Sequence, residues 1–157
     1  MIAITVWQPW ASLIIAGHKP FEFRTKSYLA YRPVHPMAGD RIVIHAGMRK
    51  VNRNEVADLL LRLESGTTGL HKDAREFLEK IHTSPTCIPL GAGLGTVALG
   101  KVHRVGGIMR GIRDSDRVDK SLQAWPMLNI RRWEPYVPCP GRQGFWKWPF
   151  AIKEGDR

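Results

Sequence analysis

Only two cysteines, Cys87 and Cys139, occur in 157 residues, and acidic side chains are scarce, with 14 Asp and Glu against 24 Lys and Arg. Two thiols make no disulfide framework. No apolar run approaches bilayer length; Leu13-Ile14-Ile15-Ala16 is typical of the longest. The opening Met1-Ile-Ala-Ile-Thr-Val-Trp7 has neither the basic start nor the apolar core of a secretory leader. A cytoplasmic chain with reduced thiols and no membrane association is the expectation. None of the six histidines lies three or four residues from another, and there is no Cys-x-x-Cys, so no metal site is expected. Asp114-Ser-Asp116 opens like a calcium loop without the required Gly and Glu. Phosphate-loop and nucleophile-elbow motifs are missing too. Gly91-Ala-Gly93-Leu-Gly95 is an incomplete dinucleotide fingerprint and reads as a flexible lead into a strand. No cofactor is called for.

What the chain has in excess is positive charge. The difference 24 − 14 gives +10, which points to polyanionic partners, nucleic acid or nucleotides first. With 43% hydrophobic and 24% charged side chains, residues 1–157 read as one domain able to bury its own core. Ile2, Ile4 and Val6 alternate along a first strand. Pro9 suits the first position of a short helix with Trp10, Leu13 and Ile14 on its apolar face and Gly17 as its stop. In the extended segment that follows, Phe21 and Phe23 turn inward while Glu22 and Arg24 face a cleft or solvent. Arg41 to Ala46 is a second confident strand. Asn52 to Glu64 carries Val56, Leu59, Leu60 and Leu63 at helical spacing, with Asn52 and Glu55 placed as a capping box. A third helix over 72–81 is striped by Ala74, Phe77, Leu78 and Ile81. A strand is expected over 95–105, then a charged loop or arm over 104–120 with Arg104, Arg110, Arg113, Arg117 and Lys120. A closing strand is expected over 143–152, with Pro149 at an edge or bulge. The order β-α-β-β-α-α-β-β is α+β, with strands that curl into a small barrel.

The densest chemistry is Gln8-Pro9-Trp10-Ala11 followed by Gly17-x-Lys19-x-x-Glu22-x-Arg24. On one strand face Glu22 and Arg24 stand about 6–7 Å apart, close enough to pair or to grip one ligand. Lys19 at the preceding turn offers a donor, or a base if burial lowers its pKa. From spacing alone, a surface ion-pair network that stiffens the turn is an equal alternative. Trp10, Trp146 and Trp148 suit base stacking, against core packing of an aromatic-rich barrel as the more common role for at least two of them. Lys147 alternates with the last two and faces the other way, toward a phosphate or solvent. His45 ends a strand, either as a ligand donor or as a satisfied structural histidine. Tyr28, Tyr31 and Arg32 are candidates for the rim, and Arg131-Arg132 for a phosphate contact.

Val6-Trp-Gln-Pro-Trp-Ala-Ser-Leu-Ile14 and Gly17-His-Lys-Pro-Phe-Glu-Phe-Arg24 together resemble the N-terminal signature of the ASCH domain (activating signal cointegrator homology), a branch of the PUA-like superfamily. Ile42-Val-Ile-His-Ala-Gly47 and Gly144-Phe-Trp-Lys-Trp148 are similar to later pieces of it. The resemblance brackets nearly the whole chain, and residues 50 to 90 match only in helical character. It implies a small mixed β-barrel flanked by helices, with Gln8, Lys19, Glu22 and Arg24 lining one cleft. It also implies binding of RNA or other nucleic acid, or of a nucleoside-sized ligand. Some members are ribonucleases, and one bacterial branch hydrolyses N4-acetylcytidine. That branch has a nucleophilic Thr where this chain has Glu22, and a Lys matching Lys19. A water activated by Glu22 would replace the covalent route here; Thr25 falls on the opposite strand face and is a poor substitute. Three functions follow in order. A nucleic-acid binding module comes first, a hydrolase acting on acylated cytidine or RNA through Lys19 and Glu22 second, and a protein-interaction domain third.

Overall fold

The computed structural model of the chain describes residues 1–30, 35–105, 123–152 and 155. Strand β1, Ile2–Val6, leads into helix α1, Trp10–Ile15, whose six residues are all buried. Pro9 stands at the N-cap, one place before the expected first helical position, and Gly17 ends the turn at φ +82° as the left-handed stop. Strand β2, Phe21–Arg24, and strand β3, Arg41–Ala46, follow. Helix α2, Arg53–Glu64, is capped by the Asn52 side chain, which accepts from Asn54 N at 2.9 Å. Glu55 does not complete a capping box; it pairs with Arg49 instead. Helix α3, Ala74–Thr83, starts two residues later than its apolar stripe predicts and sets Ala74, Leu78 and Ile81 into the core.

The C-terminal half departs further from expectation. Strand β4, Ala92–Leu99, begins inside the glycine run, so that run is ordered core strand and not a flexible lead. The expected 95–105 strand breaks at Gly100, whose N–H turns to Pro126 O at 2.9 Å, and resumes only as β5, His103–Arg104. Strand β6, Gln123–Pro138, is the longest element among the described residues, and the sequence pattern does not predict it, because its prolines and bulges disguise the period-two alternation. The closing strand contracts to β7, Phe145–Lys147. Pro149 lies beyond it, and Trp148 N donates to Met1 O at 3.0 Å. Tyr31, Arg32, Arg110, Arg113, Arg117 and Lys120 lie outside the described residues.

The sheet runs β2-β6-β4-β3-β1-β7, with β5 also on β6. Among the described residues, only β1 and β3 pair in parallel, and the other pairs are antiparallel. It is a curled half-barrel of α+β class. Two irregularities interrupt the pairing of β4 with β6, a feature that locally increases strand twist. Thr96 pairs with Arg131 and Ala98 with Leu128, so Asn129 and Ile130 share one partner position, and Asn129 takes φ +47°. Gly93 pairs with Val137 and Gly95 with Arg132, so Trp133 to Tyr136 stand against Leu94 alone.

Alternation along β1 and β3 sends side chains to two faces. Ile4, Val6, Ile42 and Ile44 join α1, α2 and α3 in the main core, which also holds Trp10, Tyr28 and Trp125. Ala3 and Val43 face a smaller aromatic core of Trp133, Trp146, Trp148 and Cys139. Gly93 leaves room for it: a Cβ there would stand 2.5 Å from Trp148 Cη2 and 2.9 Å from Trp133 Cζ3. Cys87 is exposed, Cys139 buried, and both are free thiols. Among the described residues, no helix is long and apolar enough to cross a membrane.

Gly93→Ala should therefore lower stability by about 1–3 kcal/mol through overpacking of two indoles. Urea unfolding checks this; an unchanged midpoint would show that the aromatic core yields freely.

Candidate functional site

Lys19, a residue type that is almost never fully buried, is only 1% exposed. The turn after α1 delivers it there. His18 N and Lys19 N both donate to Leu13 O, at 2.9 and 3.0 Å, folding the backbone against the end of the helix. The Lys19 ammonium donates to Phe21 O and lies 3.5 Å from Glu22 Oε2. It also stands 4.6 Å from the Phe23 ring centre and 5.4 Å from that of Trp10, a cation–π setting for a charge removed from water. The other Glu22 oxygen, Oε1, accepts from Arg24 Nε at 2.8 Å. Arg24 Nη2 in turn reaches Thr5 O on β1 at 3.4 Å, and the guanidinium carbon lies 6.0 Å from the Trp125 ring centre.

The result is a chain of charge running from interior to surface, with side-chain exposures of 1% at Lys19, 8% at Glu22 and 29% at Arg24. Two readings of the sequence are corrected by it. Glu22, read as facing a cleft or solvent, does not face solvent: its side chain is 8% exposed, held between Lys19 and Arg24. Nor is the triplet a surface network. Two cations on one carboxylate leave the cluster one positive charge in excess. Arg carries five N–H donors; Nε and Nη2 are engaged here, and among the described residues the Nη1 edge makes no hydrogen bond. The accessible end of the cluster thus presents a planar cation, suited to a phosphate, a carboxylate or a carbonyl oxygen.

The other sequence candidates divide between the two faces of the sheet. Trp10, 9% exposed, is on the Lys19 side. Gln8 is fully buried and works within the fold: its Nε2 donates to Ser12 Oγ at 2.7 Å and Pro89 O at 2.8 Å, and its Oε1 accepts from Ser12 N at 3.1 Å. That amide caps α1, where Pro9 cannot. Tyr28 is core and not rim; its hydroxyl donates to Gly100 O at 2.9 Å.

His45 and Trp146 lie on the opposite face. His45 Nε2 donates to Cys139 O at 2.7 Å, while Nδ1 is 3.3 Å from Thr5 Oγ1, which accepts from Trp146 Nε1 at 3.2 Å. Trp146 also meets His45 edge-on at 5.5 Å. Both imidazole nitrogens are engaged, as suits a neutral structural histidine, and burial lowers its pKa against a smaller opposing effect of the Cys139 bond. Lys147 is exposed, and Arg132 pairs with Glu134 at 3.1 Å. Arg131 donates to Gly155 O.

Thr5 and Trp125 are the contributors that motif reading did not single out. One holds Arg24 through its carbonyl; the other backs it through a β2–β6 pairing about a hundred residues apart. No local spacing announces either. Among the described residues, no cluster of three His, Cys, Asp or Glu stands ready for a metal.

Comparison with solved structures bears on the fold. A serine-to-alanine variant of an ASCH protein from Zymomonas mobilis aligns over 98% of this chain and 89% of its own, with a TM-score of 0.50 at 14% identity. The unsubstituted ASCH protein of that organism aligns over 99% and 89%, with a TM-score of 0.48 at 13% identity. The first likeness agrees with the ASCH resemblance of the motifs and with an α+β fold of PUA-like type. No protein-family model and no curated protein matches the chain.

Two outcomes follow from the charges. Glu22→Leu should cost about 3–5 kcal/mol because it leaves Lys19 buried without its carboxylate. Lys19→Met leaves Glu22 on Arg24 and should cost clearly less; equal shifts in urea midpoint would contradict the chain of charge. His45 gives a pH dependence. Its native pKa lies below its unfolded value of 6.5. The unfolded chain therefore binds the proton first, and stability is full above about 6.5 and declines as pH falls from there toward the native pKa. His45→Gln should flatten that decline in unfolding midpoints taken between about pH 7.5 and 5, and an unchanged slope would assign it elsewhere.

Proposed function

We propose that the protein is a nucleic-acid-directed binding module that takes RNA, or a modified nucleoside, at the Arg24 end of the Lys19–Glu22–Arg24 chain. The observation that carries this reading is the burial of Lys19 and Glu22 behind a partly exposed Arg24. Apolar residues of similar volume would hold such a site at least as stably, so stability alone gives no reason for the charges. Pre-orienting a cation does. Glu22 fixes the guanidinium through Nε and leaves its outer edge toward a ligand. The formal charge of +10 adds a field that draws polyanions toward the molecule. The likeness to ASCH structures is consistent with this choice of partner and supplies no ligand.

In this reading Arg24 holds an anionic or carbonyl oxygen, and Lys19 and Glu22 position it. A hydrolase is the second reading, favoured by the 3.5 Å approach of Lys19 Nζ to Glu22 Oε2. It ranks lower because both Glu22 oxygens already meet cations and Lys19 is shut from solvent, so neither is placed to activate water without rearrangement.

The test is fluorescence anisotropy with a labelled single-stranded RNA of about ten nucleotides. Arg24→Ala should weaken binding by about tenfold or more, the loss of one charge-assisted contact, in a variant that circular dichroism shows to be still folded. Equal affinity for variant and wild type would remove Arg24 from the interface. Incubation of wild type and Lys19→Ala with N4-acylated cytidine and mixed RNA, read by mass spectrometry, separates the hydrolase: product made by the wild type alone would establish it.

A further inference from the structure

Arg24 does not stand alone on its row of the sheet. The first residues of β6 have a partner on each edge: Gln123 pairs with Arg24 of β2 and with Arg104 of β5, and Ala124 pairs with Phe23 and with His103. A strand has two edges, so β2 and β5 flank β6, and Arg24, Gln123 and Arg104 form one row across three strands. Residues paired directly across strands send their side chains to the same face. Two positions further along, the same face carries the Glu22–Trp125 pair, and both of those residues are buried. The Arg24 row is therefore the outer edge of a face whose interior holds the charge chain.

Of the cations expected on a charged arm over 104–120, Arg104 is the one within the described residues, and it belongs to a strand. It is exposed, beside a half-buried Gln123. Among the described residues its guanidinium makes no hydrogen bond or ion pair. No acidic side chain stands in the row, and the carboxylate behind it, Glu22, is already shared by Lys19 and Arg24. Neighbouring strands lie about 4.8 Å apart, which puts the backbones of the two arginines about 10 Å apart. That is the rise of about three nucleotides in a stacked strand, at about 3.4 Å each. A nucleoside brings no phosphate for a second cation to neutralise; a strand of that length does.

We infer that Arg104 is a second phosphate contact of the Arg24 site, which therefore takes a single strand of nucleic acid laid along the Arg24–Gln123–Arg104 row rather than a free nucleoside. This rests on the Arg24 reading and narrows it. The two cations divide the work. Arg24, fixed by Glu22, sets where the strand sits; Arg104, held by no partner among the described residues, adjusts to the next phosphates. Gln123 between them supplies neutral amide donors for the intervening phosphate or sugar.

The experiment is fluorescence anisotropy with a labelled uridine hexanucleotide over a series of salt concentrations, with uridine 5′-monophosphate as an unlabelled competitor. Wild type should bind the hexanucleotide far more tightly than the monophosphate. Arg104→Ala, checked by circular dichroism, should weaken hexanucleotide binding by about fivefold and lower the slope of log affinity against log salt by about 0.7, the loss of one phosphate contact to a single strand. Arg104→Lys should keep the slope. Lys80→Ala removes an exposed charge on α3 and should change neither quantity, which separates a local contact from the general field. An unchanged slope in Arg104→Ala, an equal fall in Lys80→Ala, or equal affinity of wild type for monophosphate and hexanucleotide would overturn the inference. A loss in Arg24→Ala with none in Arg104→Ala strikes this inference alone. A loss in Arg104→Ala with none in Arg24→Ala strikes the Arg24 reading and the shared row with it.

Discussion

Everything about the site depends on the carboxylate of Glu22. Lys19 is held where water does not reach, and an isolated ammonium there would cost several kcal/mol. Glu22 Oε2 offsets that charge at 3.5 Å, while Oε1 reaches outward to Arg24 at 2.8 Å. One buried anion therefore fixes two cations, one facing the core and one facing solvent. The arrangement also ties the sheet together. β2 and β1 are not neighbours in the strand order, yet Arg24 Nη2 spans to Thr5 O, so the seam of the half-barrel is closed by the same group offered to a ligand.

The second determinant is β6. Its first residues pair with β2 and place Trp125 opposite Glu22; its later residues, beyond a bulge, set Trp133 into the smaller aromatic core. Trp125 stacks with Phe145 of β7 at 5.6 Å, bringing β7, at one end of the sheet order, against β6, next to the other end, on the main-core face. One bent strand thus serves both faces, with a cation backed by an indole on one and an indole packed into the aromatic core on the other. Bulges in a strand re-aim side chains in this way.

How much of this was legible follows from the range of each interaction. β1, β3 and the apolar stripes of α2 and α3 come from local periodicity and are placed within about two residues, ordinary uncertainty for element ends. Lys19, Glu22 and Arg24 were legible as a group because a turn and a strand bring them together within six residues. Their burial was not: it is imposed by β6, whose Pro126, Pro135 and Pro138 spoil the alternation that would have announced it. For Trp10, Trp146 and Trp148 the sequence offers base stacking but favours core packing for at least two of them. All three proved buried, because a curled sheet with two covered faces has more interior than one amphipathic strand suggests. His45 is a similar case, its two ring nitrogens engaged by Thr5 and Cys139, one of them 94 positions away.

The account turns on Arg24 being the point of contact, and an NMR titration observing its side-chain Nε–H tests that most directly. On addition of a short single-stranded RNA, the Arg24 Nε–H and the Trp125 indole N–H should shift together and saturate together, since the guanidinium lies against that ring. Saturating shifts that leave both resonances in place, with change confined to exposed cations such as Lys147, would contradict the central claim and make the buried charge chain a purely structural device.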